Sequence, residues 1–402
     1  MTALIILYAT SSAQRMWQIN KDTVINWYYE DGDEFNDAQL NTDKWNYQFG
    51  WARSIFGNKE QQYYTDGKNY VLKDGKLLLY AKREKITANL IDYLPETDSI
   101  KNGNKFDGYN KRTFNYSAGL IQSKRNYQYG FFEIKCKIPP QKGYWPAFWL
   151  YGGTPNEEID WIESKTEKPT KIHVGRHSKV RSENKFRVGW DIKKKWWGNW
   201  LKFKGNLTKD YNIIAGEWNP AYVKFYLNGE CIAYSKLKMP EPKNLVANIA
   251  VPSNGGAFGP GPDTCIIQSG DFAIDYIRIW TTNELNNTNA TKSDEATKKF
   301  YTPHTTSIGK SALVSKTKRH YGKKEDHKNE GIFVTLTPAS NTTYNLLITG
   351  KEIPANASYK ILDSNEKILE QGNLNYGTKE LLAVKGTTLI VQCYNKTVSY
   401  GF

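Results

Sequence analysis

Helical periodicity is almost missing from this 402-residue chain. Up to residue 282, apolar side chains rarely recur every three to four positions, which argues against a helical bundle. No run of about 18 consecutive apolar residues exists to span a bilayer, and mean hydropathy is −0.66, so an integral helical membrane protein is excluded. Methionine is scarce, at 3 residues. Cys136, Cys231, Cys265 and Cys393 form no CxxC pair and have no neighbouring histidine ladder, so neither a metal framework nor an essential disulfide is expected. What the chain does have is aromatic weight: 14% of its residues, including 13 Trp and 27 Tyr, a balance that favours strands. Its length calls for two domains, or one large β domain with a smaller appendage.

Alternation supplies the strands. Phe132, Ile134, Cys136 and Ile138 alternate with Glu133, Lys135 and Lys137, the period of a sheet with one buried face. Val223, Phe225 and Leu227 do the same before Asn228-Gly229, the pair suited to a tight hairpin, and Phe272, Ile274 and Tyr276 repeat the pattern. Many short antiparallel strands with Gly and Asn turns predict an all-β jelly-roll sandwich over residues 14–282. Residues 283–330 shift to Asn, Thr, Ser and Lys and read as a polar linker. Strands return over 331–402, enough for a small accessory β-sandwich. At the start, residues 1–13 have a short apolar core followed by small residues and read as the remnant of a secretory signal, which predicts a secreted, periplasmic or cell-surface bacterial protein.

Residues 157–164 read Glu-Glu-Ile-Asp-Trp-Ile-Glu-Ser. Glu158 and Asp160 share a face of an extended strand, and Glu163 joins them only if an extra residue bulges the strand near Trp161-Ile162. Three acids in a row repel one another, an arrangement that is useful where one carboxyl must stay charged and another protonated. Retaining glycoside hydrolysis uses that split, with carboxyl groups about 5 to 5.5 Å apart. An exposed acidic edge strand is the plainer alternative. Upstream, Gly143-Tyr-Trp-Pro-Ala-Phe-Trp-Leu-Tyr151 places two tryptophans four apart; Trp145 is the better candidate for stacking on a pyranose, and Trp149 for the core.

Taken together, Asp33-Glu-Phe-Asn36, Asn58-Lys-Glu-Gln-Gln-Tyr-Tyr64, Tyr129-Gly-Phe-Phe-Glu133, Trp145-Pro-Ala-Phe-Trp149, the acidic motif and Asp275-Tyr-Ile-Arg-Ile-Trp280 resemble glycoside hydrolase family 16, the jelly-roll family of laminarinases, agarases, carrageenases and porphyranases, over residues 30–282. The resemblance implies Glu158 as nucleophile, Glu163 as general acid/base and Asp160 as the residue that tunes the nucleophile. It also implies substrate contacts from Trp51, Arg53, Asn58, Glu60 and His173, no cofactor for catalysis, and a structural calcium near Asp275. Two departures stand out: Glu157 occupies a position often held by Gly, and Trp161 is the middle residue of the motif.

Net charge is +14, of which residues 165–204 carry +10. This segment follows the acidic strand, so Lys171, Arg176, Lys179 and Arg181 are expected beside the cleft, where guanidinium forks suit sulfate oxygens. The expected substrate is therefore a sulfated galactan, porphyran or a carrageenan, cut by a retaining endo-acting hydrolase. A laminarinase or agarase of the same family is the alternative, and a non-catalytic carbohydrate-binding jelly roll the alternative of another class. Nucleic acid is not an expected partner, since its recognition motifs are absent. The protein is expected to be a monomer.

Overall fold

The computed structural model describes residues 14–402 apart from 103–104, 154–156, 179–195, 237, 283–284, 286–330, 341, 351, 383 and 385. The signal-like segment 1–13, nearly all of the polar segment 283–330, Lys179 and Arg181 lie outside the described residues.

Alternating strands cannot bury their apolar faces alone, and here two large antiparallel sheets cover each other. One sheet runs, in spatial order, Trp45–Asn46, Leu120–Tyr127, Lys243–Ala250, Trp145–Gly152, Glu157–Glu163, Lys171–His177 and Trp196–Lys202. The other runs from Glu230–Ser235 through Val223–Leu227, Asn212–Trp218, Gly130–Lys137, Phe272–Thr281 and Val24–Asp33 to Arg15–Ile19. Phe132, Ile134, Cys136, Phe225 and Ile274 fill the space between, as the alternation predicts, and Ile277 joins them beyond a register shift in its strand's pairing. This is an all-β jelly roll. Asn228 and Gly229 form the predicted tight turn, with φ of 50° and 78°. Among the described residues no helix is long and apolar enough to cross a membrane.

The C-terminal strands form two layers. Ile332–Pro338, Thr343–Gly350 and Gly377–Leu382 make one; Ile368–Asn373, Ser358–Leu362, Thr388–Cys393 and Lys396–Gly401 make the other. The first layer does not stand apart. Ile332–Pro338 hydrogen-bonds antiparallel to Arg15–Ile19, from Ile332 opposite Ile19 to Leu336 opposite Arg15, so the jelly-roll sheet continues into the C-terminal unit. Arg15–Ile19 feeds two cores: Met16 packs in the jelly roll, whereas Trp17 and Ile19 pack with Val334, Leu346 and Tyr359. Conversely, Phe333 points back into the first core, with ring centroids 5.3 Å from Phe131 and 5.4 Å from Tyr226.

Candidate active site

The acidic strand bulges where its sequence predicts. Phe148 pairs with Ile162 and Trp149 with Asp160, which leaves Trp161 as the extra residue. Its fully buried indole turns into the core against Phe132 and Phe225, at centroid distances of 5.8 and 5.5 Å. Gly216 makes that possible, since a Cβ there would fall 2.0 Å from the indole. With Trp161 wedged inward, Glu158, Asp160 and Glu163 line one cleft together with Ile55, Asn58, Glu60, Trp145, Trp149 and Asn248.

Burial dominates the electrostatics. Glu158, Asp160 and Glu163 are only 8%, 1% and 5% exposed. Loss of water, and then the neighbouring Asp160, hold the Glu158 carboxyl well above the usual carboxylate range. Asp160, two residues along the same strand face, is thus the neighbour that most opposes ionisation of Glu158. Glu163 is raised for the same two reasons but is opposed by His173, whose Nδ1 lies 2.7 Å from Glu163 Oε2. Trp200 and Phe258 flank the His173 ring at 5.3 and 5.6 Å. On the far wall, Glu60 accepts hydrogen bonds from Asn58 Nδ2 (3.2 Å) and Gln62 Nε2 (2.5 Å), and burial pushes it up to about 7.

His177 was not legible as a site residue. It pairs with Glu158 across the strands and sets Nε2 3.4 Å from Asp160 Oδ2 and 3.9 Å from Glu158 Oε1. The available signal was its spacing of four from His173, which puts both on one strand face. Phe258 was missed as well, being a loop residue more than a hundred positions from its partner.

Several expected contacts are placed differently. Trp145 lines the cleft, but Phe258 stacks flat on it at 4.2 Å and 6°, so one face of the expected sugar platform is covered. Trp149, assigned to the core, also lines the cleft, and donates to Asn248 Oδ1 at 2.8 Å. Trp51 is 3% exposed, stacked on Phe49 at 4.7 Å, and is not among the lining residues. Arg53 is spent on structure: it bonds both oxygens of Asp92 through Nε, Asp66 through Nη1, and the Tyr64 carbonyl. Arg176 pairs with Ile159, not with an acid of the cleft, so it lies on the opposite sheet face, where its Nε donates to Ser235 Oγ at 3.0 Å. Lys171 shares the strand face of His173 but is not among the lining residues. Asp275, the expected calcium ligand, is ion-paired through Oδ2 to Lys135 Nζ at 2.7 Å.

Replacing His173 with Leu removes the group that opposes the rise of Glu163. Glu163 then stays protonated to higher pH, so the alkaline limb of kcat/KM should move up while kcat falls about tenfold from lost orientation. An unmoved limb in the pH–rate profile would refute the electrostatic role.

A jelly roll whose cleft buries one carboxyl beside an aspartate and a second bonded to a histidine, between aromatic walls, has the make-up of a glycoside hydrolase. Residues 57–253 match the model for glycosyl hydrolases family 16. The chain is 27% identical over 283 residues to a glucan endo-1,3-beta-glucosidase of Cryptopygus antarcticus, covering 64% of this chain and 93% of that protein. It is 28% identical over 298 residues to a keratan-sulfate endo-1,4-beta-galactosidase of Sphingobacterium multivorum, covering 68% and 63%. The endo-beta-1,3-glucanase structure from Pyrococcus furiosus superposes with a TM-score of 0.50 at 24% identity, over 64% of this chain and 95% of that one, a likeness of fold. The stretch 57–253 is a glycoside hydrolase family 16 domain, and the protein is an endo-acting glycosidase of a kind that needs no cofactor for catalysis.

Proposed function

We propose that this enzyme cuts internal β-1,3 bonds of a neutral, laminarin-type glucan with retention of configuration. The observation that carries this reading is the charge of the cleft. Its lining includes Glu60, Glu158, Asp160 and Glu163, and among the described residues no Lys or Arg. A chain bearing sulfates would find no cation there to pair with. The expectation of a sulfated galactan rested on Arg176 and its neighbours, and Arg176 is turned away.

Glu158 attacks the anomeric carbon as the bond to the leaving oxygen breaks, and Glu163 passes its proton to that oxygen. Water then attacks the glycosyl-enzyme ester, Glu163 takes a proton from it, and Glu158 leaves as carboxylate. Asp160, beside Glu158 on the same strand face, raises the energy of the Glu158 carboxylate and so favours its conversion to the neutral ester on attack.

A second reading, cleavage of a sulfated galactan, draws on the +10 segment 165–204 and on the keratan-sulfate relative. Laminarin, porphyran, κ-carrageenan, agarose and keratan sulfate, incubated in parallel and followed by product sizing and by NMR of the first anomer formed, separate the readings. Fastest cleavage of laminarin with β product is expected. Higher kcat/KM on a sulfated chain overturns the neutral-glucan assignment, and an α product overturns retention.

A further inference from the structure

Glu157 is one of the two departures in the acidic motif, and nothing in the chemistry above uses it. Its side chain is 1% exposed on the face of the strand opposite Glu158. There its Oε2 meets Lys243 Nζ at 2.7 Å, and Ser178 Oγ donates to Oε1 at 3.2 Å. Lys243 is itself fully buried, its ammonium 4.5 Å from the Trp218 ring centroid and bonded to the Glu241 carbonyl at 2.6 Å. The pair spans three strands. Glu157 lies opposite Gly152, and Lys243 comes from the strand beyond; a Cβ on Gly152 would stand 2.8 Å from Pro242 O and 3.1 Å from Lys243 Cα. Ser178 ties in the strand on the other side.

A buried ion pair is poor evidence of stability, because desolvation offsets much of its attraction. Its value is geometric. Consecutive residues of a strand point to opposite faces with Cα atoms about 3.8 Å apart, so whatever fixes Glu157 fixes the backbone of its neighbour. We propose that the Glu157–Lys243 pair is a positioning device for Glu158, pinning the head of the catalytic strand from behind while its charges cancel beneath the cleft. The groups facing Glu157 are Lys243, Ser178, Arg176 and Tyr129, with Glu241 acting on Lys243; those facing Glu158 are Asp160, Glu163, Glu60 and His177. This proposal rests on Glu158 as nucleophile.

Glu157→Gln keeps the shape but leaves the Lys243 cation uncompensated behind Glu158. Kinetics on laminarin, or on whichever polysaccharide proves fastest, should show kcat down about tenfold with KM within about twofold, the signature of a misplaced reacting group. The acid limb of kcat/KM should move down by about half to one pH unit, because an unpaired cation favours the ionised nucleophile. Glu157→Gln with Lys243→Met removes both charges and should return the limb to its original position. Ser178→Ala, which deletes a neutral contact to the same carboxylate, should lower the melting temperature without moving the limb. If the limb of Glu157→Gln coincides with that of the unmodified enzyme once rates are normalised to folded protein, the pair is only structural. Should the double variant fail to fold, Glu157→Gln against Ser178→Ala still decides. Full activity in Glu158→Gln would instead overturn the nucleophile assignment itself.

Discussion

Glu158→Ala and Glu163→Ala each lower turnover on the polysaccharide by at least about a thousandfold, but added azide distinguishes them. In Glu158→Ala the space left by the carboxylate admits azide beneath the anomeric carbon, and single displacement gives the α-glycosyl azide. In Glu163→Ala the nucleophile is intact, so an aryl β-glycoside with a good leaving group still forms the glycosyl-enzyme. Azide then captures that intermediate from the other face, giving the β-azide. Identical azide anomers from both variants would undo the assignment of roles. On the proposed role Glu163 must be protonated to act, and burial and Asp160 raise its pKa, so activity in the intact enzyme should extend above the usual carboxylate range. The alkaline limb should vanish in Glu163→Gln, which carries nothing to titrate.

The second large effect is on stability. A chain ending at residue 330 leaves the outer edge of Arg15–Ile19 unpaired and uncovers Trp17 and Ile19, which are 4% and 0% exposed in the full protein. It also removes Phe333, 3% exposed, from its place against Phe131 and Tyr226. Calorimetry should show the jelly roll of the truncated chain melting at least about 10 °C below that of the full chain, or the truncated chain recovered only as aggregate. Phe333→Ala alone should cost about 3 to 5 kcal/mol, the usual range for emptying a buried phenylalanine site. Equal melting temperatures for truncated and full-length protein would mean that the shared sheet contributes nothing to the first domain.

The acidic strand was legible because its message is local: carboxylates at spacings of two and three can share a face only across a bulge, and the bulge follows. The jelly roll was legible for the same reason, through alternation within single strands. What failed depended on partners distant in the chain. Arg53 looked free until Asp92, 39 residues on, claimed its guanidinium. Arg176 looked like a cleft residue because nothing local says on which face a strand residue ends; that is fixed by register against the bulged neighbour. Trp145 looked like an open platform because the loop carrying Phe258 arrives from beyond residue 250. The change of composition at 283–330 suggested two separate units, and nothing in it announced that strand 332–338 would pair with strand 15–19.

That pairing joins positions 19 and 332, which are 313 residues apart. At about 5 to 20 residues per second, a ribosome needs roughly 15 to 60 seconds to deliver the second after the first. Throughout that interval the opening strand can dock on the jelly roll by one edge only, with Trp17 still in water, and long-range pairings of this kind are the slow ones to close. Strand Arg15–Ile19 is thus made long before it is finished, and any factor guarding the growing chain must shield it until Ile332–Pro338 arrives.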